Sequence, residues 1–414
     1  MPPDQKIGDL AGRPARRRVM VGDVRHSDDG SPRRRVLSAP GRRQTAEPGA
    51  RARGPLAQAH YGGAIPTAAV LSFRLGGPDG VAVEAAKWQG ALAALGFSTR
   101  TVAGGGDADR LLPGLAIGGA EPPTEPELDD ALQDADLVVV ENLCSLPLNP
   151  GAAAAVARVL AGRPAILHHH DLPWQRSRFR EHPAPPADRR WSQVTINELS
   201  RRQLADRGIV ATTIYNAFAI GGRGEGPPAD PTGDDGRPRV RAAIGVDPDR
   251  RLVLQPTRAI PRKNVAGGIR VAAELGAVYW LLGPAEDGFG PELDALVGSA
   301  PCPVILGTGG CDLSIHDAYR ACDVVALPST WEGFGNPSIE SAVHRRPLAI
   351  GPYPVADELA AFGFEWFALG EMDRLGRWLD APELGLLDRN AAVAKAHFSL
   401  DDLPERIASV LPEL

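Results

Sequence analysis

The sequence predicts an α/β protein of two doubly wound, parallel-sheet domains, each resembling a Rossmann unit, that face each other across a cleft. Three observations carry this. The chain of 414 residues is too long for one ordinary core and suits two of roughly 150–200 residues each. Short apolar runs alternate with helical apolar patterns, as strands joined by crossover helices do. A Gly-, Pro- and Asp-rich stretch over 221–239 interrupts the alternation, which then restarts.

In the first half, Thr67-Ala-Ala-Val-Leu-Ser-Phe-Arg74 reads as a buried strand. The loop Gly76-Gly-Pro-Asp-Gly80 follows, and Val81, Ala85, Trp88, Ala91, Leu92 and Leu95 then mark one face of a helix over 81–95. Further strands are expected over 136–140, 164–167 and 193–196, and helices over 152–160 and 198–207. In the second half, strands are expected over 252–255, 278–282, 304–306, 324–327 and 348–350. Helices over 265–275, 291–297, 315–322 and 337–344 alternate with them. The domains therefore divide at about 64–217 and 218–396. Two such sheets leave a cleft at their carboxyl ends, where ligands of these folds bind.

Composition narrows the function. Residues 1–60 carry 13 Lys/Arg against 6 Asp/Glu, among Pro, Gly and Ser and without a sustained apolar period, so they read as a disordered basic tail. The remainder carries a net −13 of the chain's −6, which argues against nucleic acid as a partner. No run of ~20 apolar residues is present, so no transmembrane segment is expected; peripheral membrane contact stays open. Cys144, Cys302, Cys311 and Cys322 lie far apart without CxxC spacing and read as reduced thiols of a cytoplasmic protein.

The most informative stretch is Glu332-Gly-Phe-Gly-Asn-Pro-Ser-Ile-Glu340, which follows an apolar strand and opens a helix. Asn336 suits the N-cap and Pro337 the first helical position, where a missing N–H costs nothing. Gly333 and Gly335 allow the backbone close to a ligand. Free N–H groups and the positive end of the helix dipole favour a phosphate there. Glu332 in the loop and Glu340 one turn into the helix could touch different parts of one extended ligand, although a solvated Glu340 on a structural loop would fit the same pattern. Upstream, Leu252-Val-Leu-Gln-Pro-Thr-Arg258-Ala-Ile-Pro-Arg262-Lys263-Asn places Arg258 and Lys263 just beyond a strand's carboxyl end. Fixed cations at that place can stabilise a departing diphosphate.

These segments resemble the E-x7-E signature and the diphosphate-binding Arg/Lys loop of the retaining glycosyltransferases of the GT4 family (glycosyl transferases group 1), which have the GT-B fold. Ile214-Tyr-Asn216 is similar to that family's inter-domain junction. The resemblance covers about residues 65–414 and is most specific in the second half. It implies that Glu340 binds the ribose hydroxyls and that Arg258 and Lys263 bind the diphosphate. Glu332 and the backbone of Gly333, Phe334, Gly335, Asn336 and Pro337 would hold the sugar. Gly283 and Leu306 would lie near the base, and Gly80 would face the donor phosphates. His170 falls where the family often has a histidine close to the sugar's 6-hydroxyl, with His169 as second choice; a packed, hydrogen-bonded histidine is the alternative. Gly77, Glu141 and Asn142 are candidates for the acceptor side, the Glu141-Asn142 pair serving equally well as a cap. The resemblance also implies that the last helix, about 397–414, returns to the first domain.

A metal-dependent transferase needs an Asp-x-Asp motif at a strand's carboxyl end. Asp134-Ala-Asp136 precedes its strand, Asp247-Pro-Asp249 is a turn, and Asp107-Ala-Asp109 lies in a Gly-rich loop. Three consecutive histidines alternate between faces, so no protein-bound metal and no cofactor are expected. The expected activity is retaining transfer of a hexose from a nucleoside diphosphate sugar, of GDP-mannose or UDP-glucose type, to an acceptor hydroxyl. A nucleotide-sugar epimerase, or a non-catalytic protein that binds nucleotide sugars, would share the pattern.

Overall fold

The computed structural model describes residues 65–77, 79–119, 121–220 and 236–413. The expected basic tail over 1–60 lies outside them, as does most of the expected linker over 221–239. Among the described residues, two all-parallel sheets of seven and six strands form the frame. The first contains β1 (Thr67–Ser72), β2 (Ser98–Ala103), β3 (Arg110–Leu111), β4 (Leu137–Glu141), β5 (Ala165–His169), β6 (Trp191–Thr195) and β7 (Thr212–Thr213). Their spatial order is β3-β2-β1-β4-β5-β6-β7. The second contains β8 (Leu252–Gln255), β9 (Val278–Leu281), β10 (Val304–Leu306), β11 (Val324–Leu327), β12 (Leu348–Ile350) and β13 (Phe367–Ala368), in the order β10-β9-β8-β11-β12-β13. Each order reverses once, between β1 and β4 and between β8 and β11. The carboxyl ends of those four strands are where an open α/β sheet places its ligand.

The helices of the first half are α1 (Gly80–Ala94), α2 (Glu125–Leu132), α3 (Pro150–Leu160) and α4 (Glu198–Ala205). Those of the second are α5 (Arg237–Ala243), α6 (Val265–Glu274), α7 (Gly290–Gly298), α8 (Ile315–Ala321), α9 (Asn336–Val343), α10 (Pro354–Ala360), α11 (Met372–Asp380) and α12 (Leu384–His397). Alternate residues of β1 leave its sheet on opposite sides. Ala68 and Val70 pack with Ala85, Trp88 and Leu92 of α1, while Ala69 and Leu71 pack with Leu128 of α2 and Val156 of α3. Helix α1 starts at Gly80 because Asp79 caps it, accepting the Ala82 N–H at 3.3 Å.

The chain crosses back at its end. Phe218 N–H donates to the Phe398 carbonyl and Leu400 N–H to the Phe218 carbonyl, both at 2.8 Å. Helix α13 (Leu403–Ala408) then sets Leu403 and Ile407 against the Trp88 side of α1. Phe398 is fully buried and meets the rings of Tyr215, Phe334, Phe362 and Phe364. Among the described residues no helix is long and apolar enough to cross a membrane.

Sequence reading missed the polar or short elements β2, β3, β7, β13, α2 and α10–α12. It also read the end of the 221–239 stretch as linker, where α5 begins at Arg237. That helix is anchored by a buried arginine: Arg241 donates to the carbonyls of Ala321, Asp247, Pro248 and Arg250 and pairs with Asp323 at 2.6 Å.

Polar contacts tie the halves together beside the cleft. Asn197 Nδ2 donates to the Gly333 carbonyl at 2.5 Å, and Asn216 Nδ2 to Asn336 Oδ1 at 2.8 Å. Glu358 of α10 accepts the N–H groups of Glu198 and Leu199 at 2.6 and 3.0 Å, so a side chain of the second half caps α4 of the first. Its carboxylate meets both the free donors and the positive dipole end of that helix. Replacing Glu358 by Ala is expected to lower stability by about 1 kcal/mol, as cap losses do, and to shift solution scattering towards a wider inter-domain separation. An unchanged unfolding midpoint and scattering profile would show that the cap holds nothing together.

Candidate active site

A cavity of about 410 Å³ lies between the halves, lined by the loops that leave β1, β4, β8 and β11. From the first half come Arg74, Asp79, Gly80, Asn142, His170, Asp171 and Arg176; from the second come Arg258, Arg262, Lys263, Glu340 and residues 332–337. A larger cavity of about 1140 Å³ lies on the outer side of α1, lined by Gly77, Lys87, Ile220 and Asp401 among others. It contains none of the groups that could engage a phosphate as a set, and residues 221–235, which follow Ile220, lie outside the described residues. Chemistry decides here rather than size. Gly77, expected on the acceptor side, lines the outer cavity and not the cleft.

The loop after β11 is built as a cradle. Gly335 adopts φ 92° and caps α9, and a Cβ there would come within 2.2 Å of the Tyr353 hydroxyl, so only glycine fits. The expected N-cap, Asn336, is the first helical residue instead, with Pro337 second, because the Asn336 carboxamide is taken up by Asn216. A Cβ on Gly333 would meet the His170 carbonyl at 2.6 Å, so this loop touches the first half directly.

Glu332 is 4% exposed and fully engaged. Lys263 Nζ lies 2.5 Å from one carboxylate oxygen, to which Ser329 Oγ also donates at 2.5 Å, and Arg262 Nη1 donates to the other at 2.8 Å. Burial alone would raise the Glu332 carboxyl, but the charges of Lys263 and Arg262 outweigh it and hold it below the ordinary value. Burial pulls Lys263 below the usual lysine value against the attraction of Glu332. Two cations on one carboxylate leave one positive charge unmatched at the mouth of a helix, as an anionic ligand requires.

The sequence reading paired Arg258 with Lys263. The structure turns Arg258 to Glu286, 2.5 Å away, and puts Arg262 beside Lys263 instead. The cause is the 3-10 turn Pro261–Lys263, which closes on Asn264 in the left-handed region (φ 50°) and presents both side chains to Glu332. All three cations still line the cleft. Gly283 and Leu306, expected near the base, do not line it. A Cβ on Gly283 would strike the backbone of Thr257 and Arg258 at 2.7–2.8 Å, so this glycine supports the Arg258 loop, and Leu306 packs against the second core.

Glu340 faces the cleft with one oxygen accepting the Tyr319 hydroxyl at 2.6 Å. Burial raises its carboxyl above the ordinary value despite that bond. Tyr319 is itself fixed by stacking on His344, with ring centroids 4.7 Å apart and planes 4° from parallel.

In the first half the three histidines separate. His169 points away from the cleft, between Ser145 Oγ (2.6 Å) and Gln193 Oε1 (2.7 Å), and burial lowers it to about 4; it is not an acceptor-side group. His168 and His170 share the other face and both contact Glu141 Oε2, at 2.9 and 2.7 Å. Glu141 is fully buried behind His170 and does not line the cavity, contrary to its expected acceptor role. Asn142 lines the cleft and also caps the loop after β5, its Oδ1 accepting the N–H groups of His170 and Asp171 at 3.1 and 3.2 Å.

Glu141, His168 and His170 bring three metal-type donor atoms within 4.8 Å, the set among the described residues that does so. Their 2.7–2.9 Å contacts are hydrogen-bond lengths, shorter than the roughly 3.3 Å edge of a tetrahedral site with ~2 Å bonds. The Asp-x-Asp segments accept backbone N–H groups instead: Asp136 that of Thr67, Asp109 that of Thr101, and Asp247 that of Asp249.

No family model matches the chain. It is 26% identical over 343 residues to the mannosylglucosylglycerate synthase of Thermotoga maritima, covering 69% of this chain and 78% of that one. It is 24% identical over 377 residues to the protein of the same name from Petrotoga mobilis, covering 73% and 86%. Among solved structures it resembles Anabaena HepE in complex with UDP and glucose, with a TM-score of 0.64, 17% identity and coverage of 83% and 98%. That likeness shows the fold.

Proposed function

Because this chain is a retaining glycosyltransferase of the GT4 family with the GT-B fold, using a nucleotide sugar to transfer a hexose, we propose that the cleft between its sheets is where the transfer occurs. The single observation that carries the reading is the buried Glu332–Lys263–Arg262 cluster at the mouth of α9. There, fixed cations and free helix N–H groups can stabilise a leaving diphosphate without a protein-bound metal. Arg258 completes the set once drawn from Glu286. Glu340 holds the ribose, and the backbone of 333–337 holds the sugar beside His170.

Glu332 has both oxygens occupied by Lys263, Ser329 and Arg262, which counts against its forming a glycosyl ester. The resemblance to the GT4 family implies a same-face substitution. The bond from C1 to the phosphate oxygen breaks, the bond to the acceptor oxygen forms, and the leaving phosphate takes the acceptor's proton. Contacts through Gly333, Asn336 and Glu358 close the halves and exclude water. A cytoplasmic setting fits Cys144 and Cys322, which stay free thiols.

The names of the Thermotoga and Petrotoga relatives make GDP-mannose and small glycerate-bearing acceptors the first compounds to test, with UDP-glucose as comparison. The correct donor at 100 times its dissociation constant adds ~2.7 kcal/mol of stability, visible as a raised unfolding midpoint. Transfer that keeps the donor's anomeric configuration, followed by NMR with labelled donor, completes the test. Stabilisation by no nucleoside diphosphate sugar would overturn the proposal, and turnover of donor without any acceptor would point to an epimerase.

A further inference from the structure

Glu141 belongs neither to the cleft wall nor to an ordinary core. It ends β4 at 0% exposure and sits in register with His168 of β5, so their side chains leave the sheet on the same face. His170 lies two residues further on and returns to that face. The His168 and His170 rings are 4.4 Å apart, and Trp88 of α1 backs His168 at 4.3 Å. Charged neighbours are Glu84 from α1, paired with Lys87, and Asp171 from the loop after β5, paired with Arg176. Asn142 pins the backbone on either side of the ring.

A carboxylate only accepts hydrogen bonds. The two ring nitrogens that face Glu141 Oε2 must therefore both carry protons: Nδ1 of His168 and Nε2 of His170. A neutral His170 so held keeps its lone pair on Nδ1, the nitrogen not turned to Glu141. The arrangement is costly. Glu141 Oε1 and His168 Nε2 are buried without a partner, and a site built for stability alone would be better filled by apolar side chains. A buried, half-satisfied carboxylate that orders two imidazoles behind the cleft has the character of a device for orientation.

We propose that Glu141 is a positioning residue for the transfer reaction, fixing His170 as the Nε2–H tautomer so that Nδ1 is its hydrogen-bond acceptor towards the bound sugar, with His168 bracing the carboxylate from behind. The proposal rests on the assignment of the cleft as the transfer site, but its first test does not. Imidazole ¹⁵N shifts of the unliganded wild-type protein, recorded at alkaline pH because His170, lowered by burial but raised further by Glu141, sits above the ordinary histidine value, should report His170 protonated at Nε2 and bare at Nδ1. Finding the opposite tautomer overturns the proposal whether or not the protein transfers sugar.

The second test is kinetic. Glu141→Gln removes the charge that both rings share at Oε2, and an amide nitrogen turned to that position would face both ring N–H groups, so the Nε2–H tautomer of His170 is no longer held and kcat falls by roughly 100-fold. The donor KM should stay within about threefold. Glu141→Asp, which keeps the charge, should recover part of kcat, a recovery that mere packing would not produce. Combining Glu141→Gln with His170→Ala should lose no more than His170→Ala alone, because both changes act on one group. Losses that multiply, or a Glu141→Gln protein with wild-type kcat, overturn the proposal. Should Glu141→Gln not fold, the tautomer measurement decides alone.

Discussion

Lys263→Met lowers kcat/KM for the sugar donor by roughly 10²–10³-fold, the usual cost of removing one group that stabilises charge in a transition state. Methionine keeps most of the stem's packing, so the loss isolates the ammonium. The same change harms the fold. Glu332, nearly buried, would face Arg262 and Ser329 alone, and breaking a buried pair from one side costs about 3–5 kcal/mol. A second substitution probes the cluster as a whole. Lys263→Met with Glu332→Gln should regain neither stability nor activity, because Arg262 then loses its carboxylate partner as well. Measured by denaturant unfolding and donor turnover, a double variant that recovers both would place the leaving-group charge elsewhere.

Glu340→Gln is expected to act in opposite directions on binding and stability. Loss of a charged acceptor weakens nucleotide sugar binding by roughly 10–100-fold, read by calorimetric titration. The free protein, in contrast, gains stability at neutral pH. The carboxyl of Glu340 is raised in the folded state by burial, whereas in the unfolded chain it titrates near about 4.3. Below that pH both states hold the proton and the residue carries no penalty. As pH rises, the unfolded state ionises first while the native state keeps its proton, so stability falls until the raised folded value is passed. Glutamine escapes this, and its amide oxygen still accepts from the Tyr319 hydroxyl. The midpoints of wild type and variant should coincide near pH 4 and separate, with the variant higher, by pH 7.5. A variant less stable at pH 7.5 would show that the carboxylate is held ionised after all.

How far the site was legible varies with the range of the contacts. The loop from Glu332 to Glu340 could be read because strand, glycines and helix start are contiguous, and β8 with its cation loop could be read for the same reason. Arg262 was passed over although it adjoins Lys263, because its aim depends on a 3-10 turn and a left-handed Asn264 that composition does not announce. Glu141 was misplaced because its partners are set by the register of β4 on β5, 27 residues away for His168. Alternation along a strand correctly sets His169 apart from its neighbours, but it says nothing of which face meets the cleft. Strand β2 was missed for a simpler reason: Ser-Thr-Arg-Thr-Val-Ala is polar and only its second half is buried.

The return of α13 to α1 has a consequence during synthesis. The apolar side of α1, with Ala85, Trp88 and Leu92, is completed by Leu403 and Ile407, about 300 residues later. At ~5–20 residues per second a ribosome takes roughly 15–60 s to make that stretch. During this time the stripe on α1 stays uncovered, and once the first half has left the exit tunnel it must wait for α13 while the second half folds beside it. The nascent protein therefore presents an apolar stripe before it presents an enzyme, and a chain cut before Leu403 would leave that stripe bare for good.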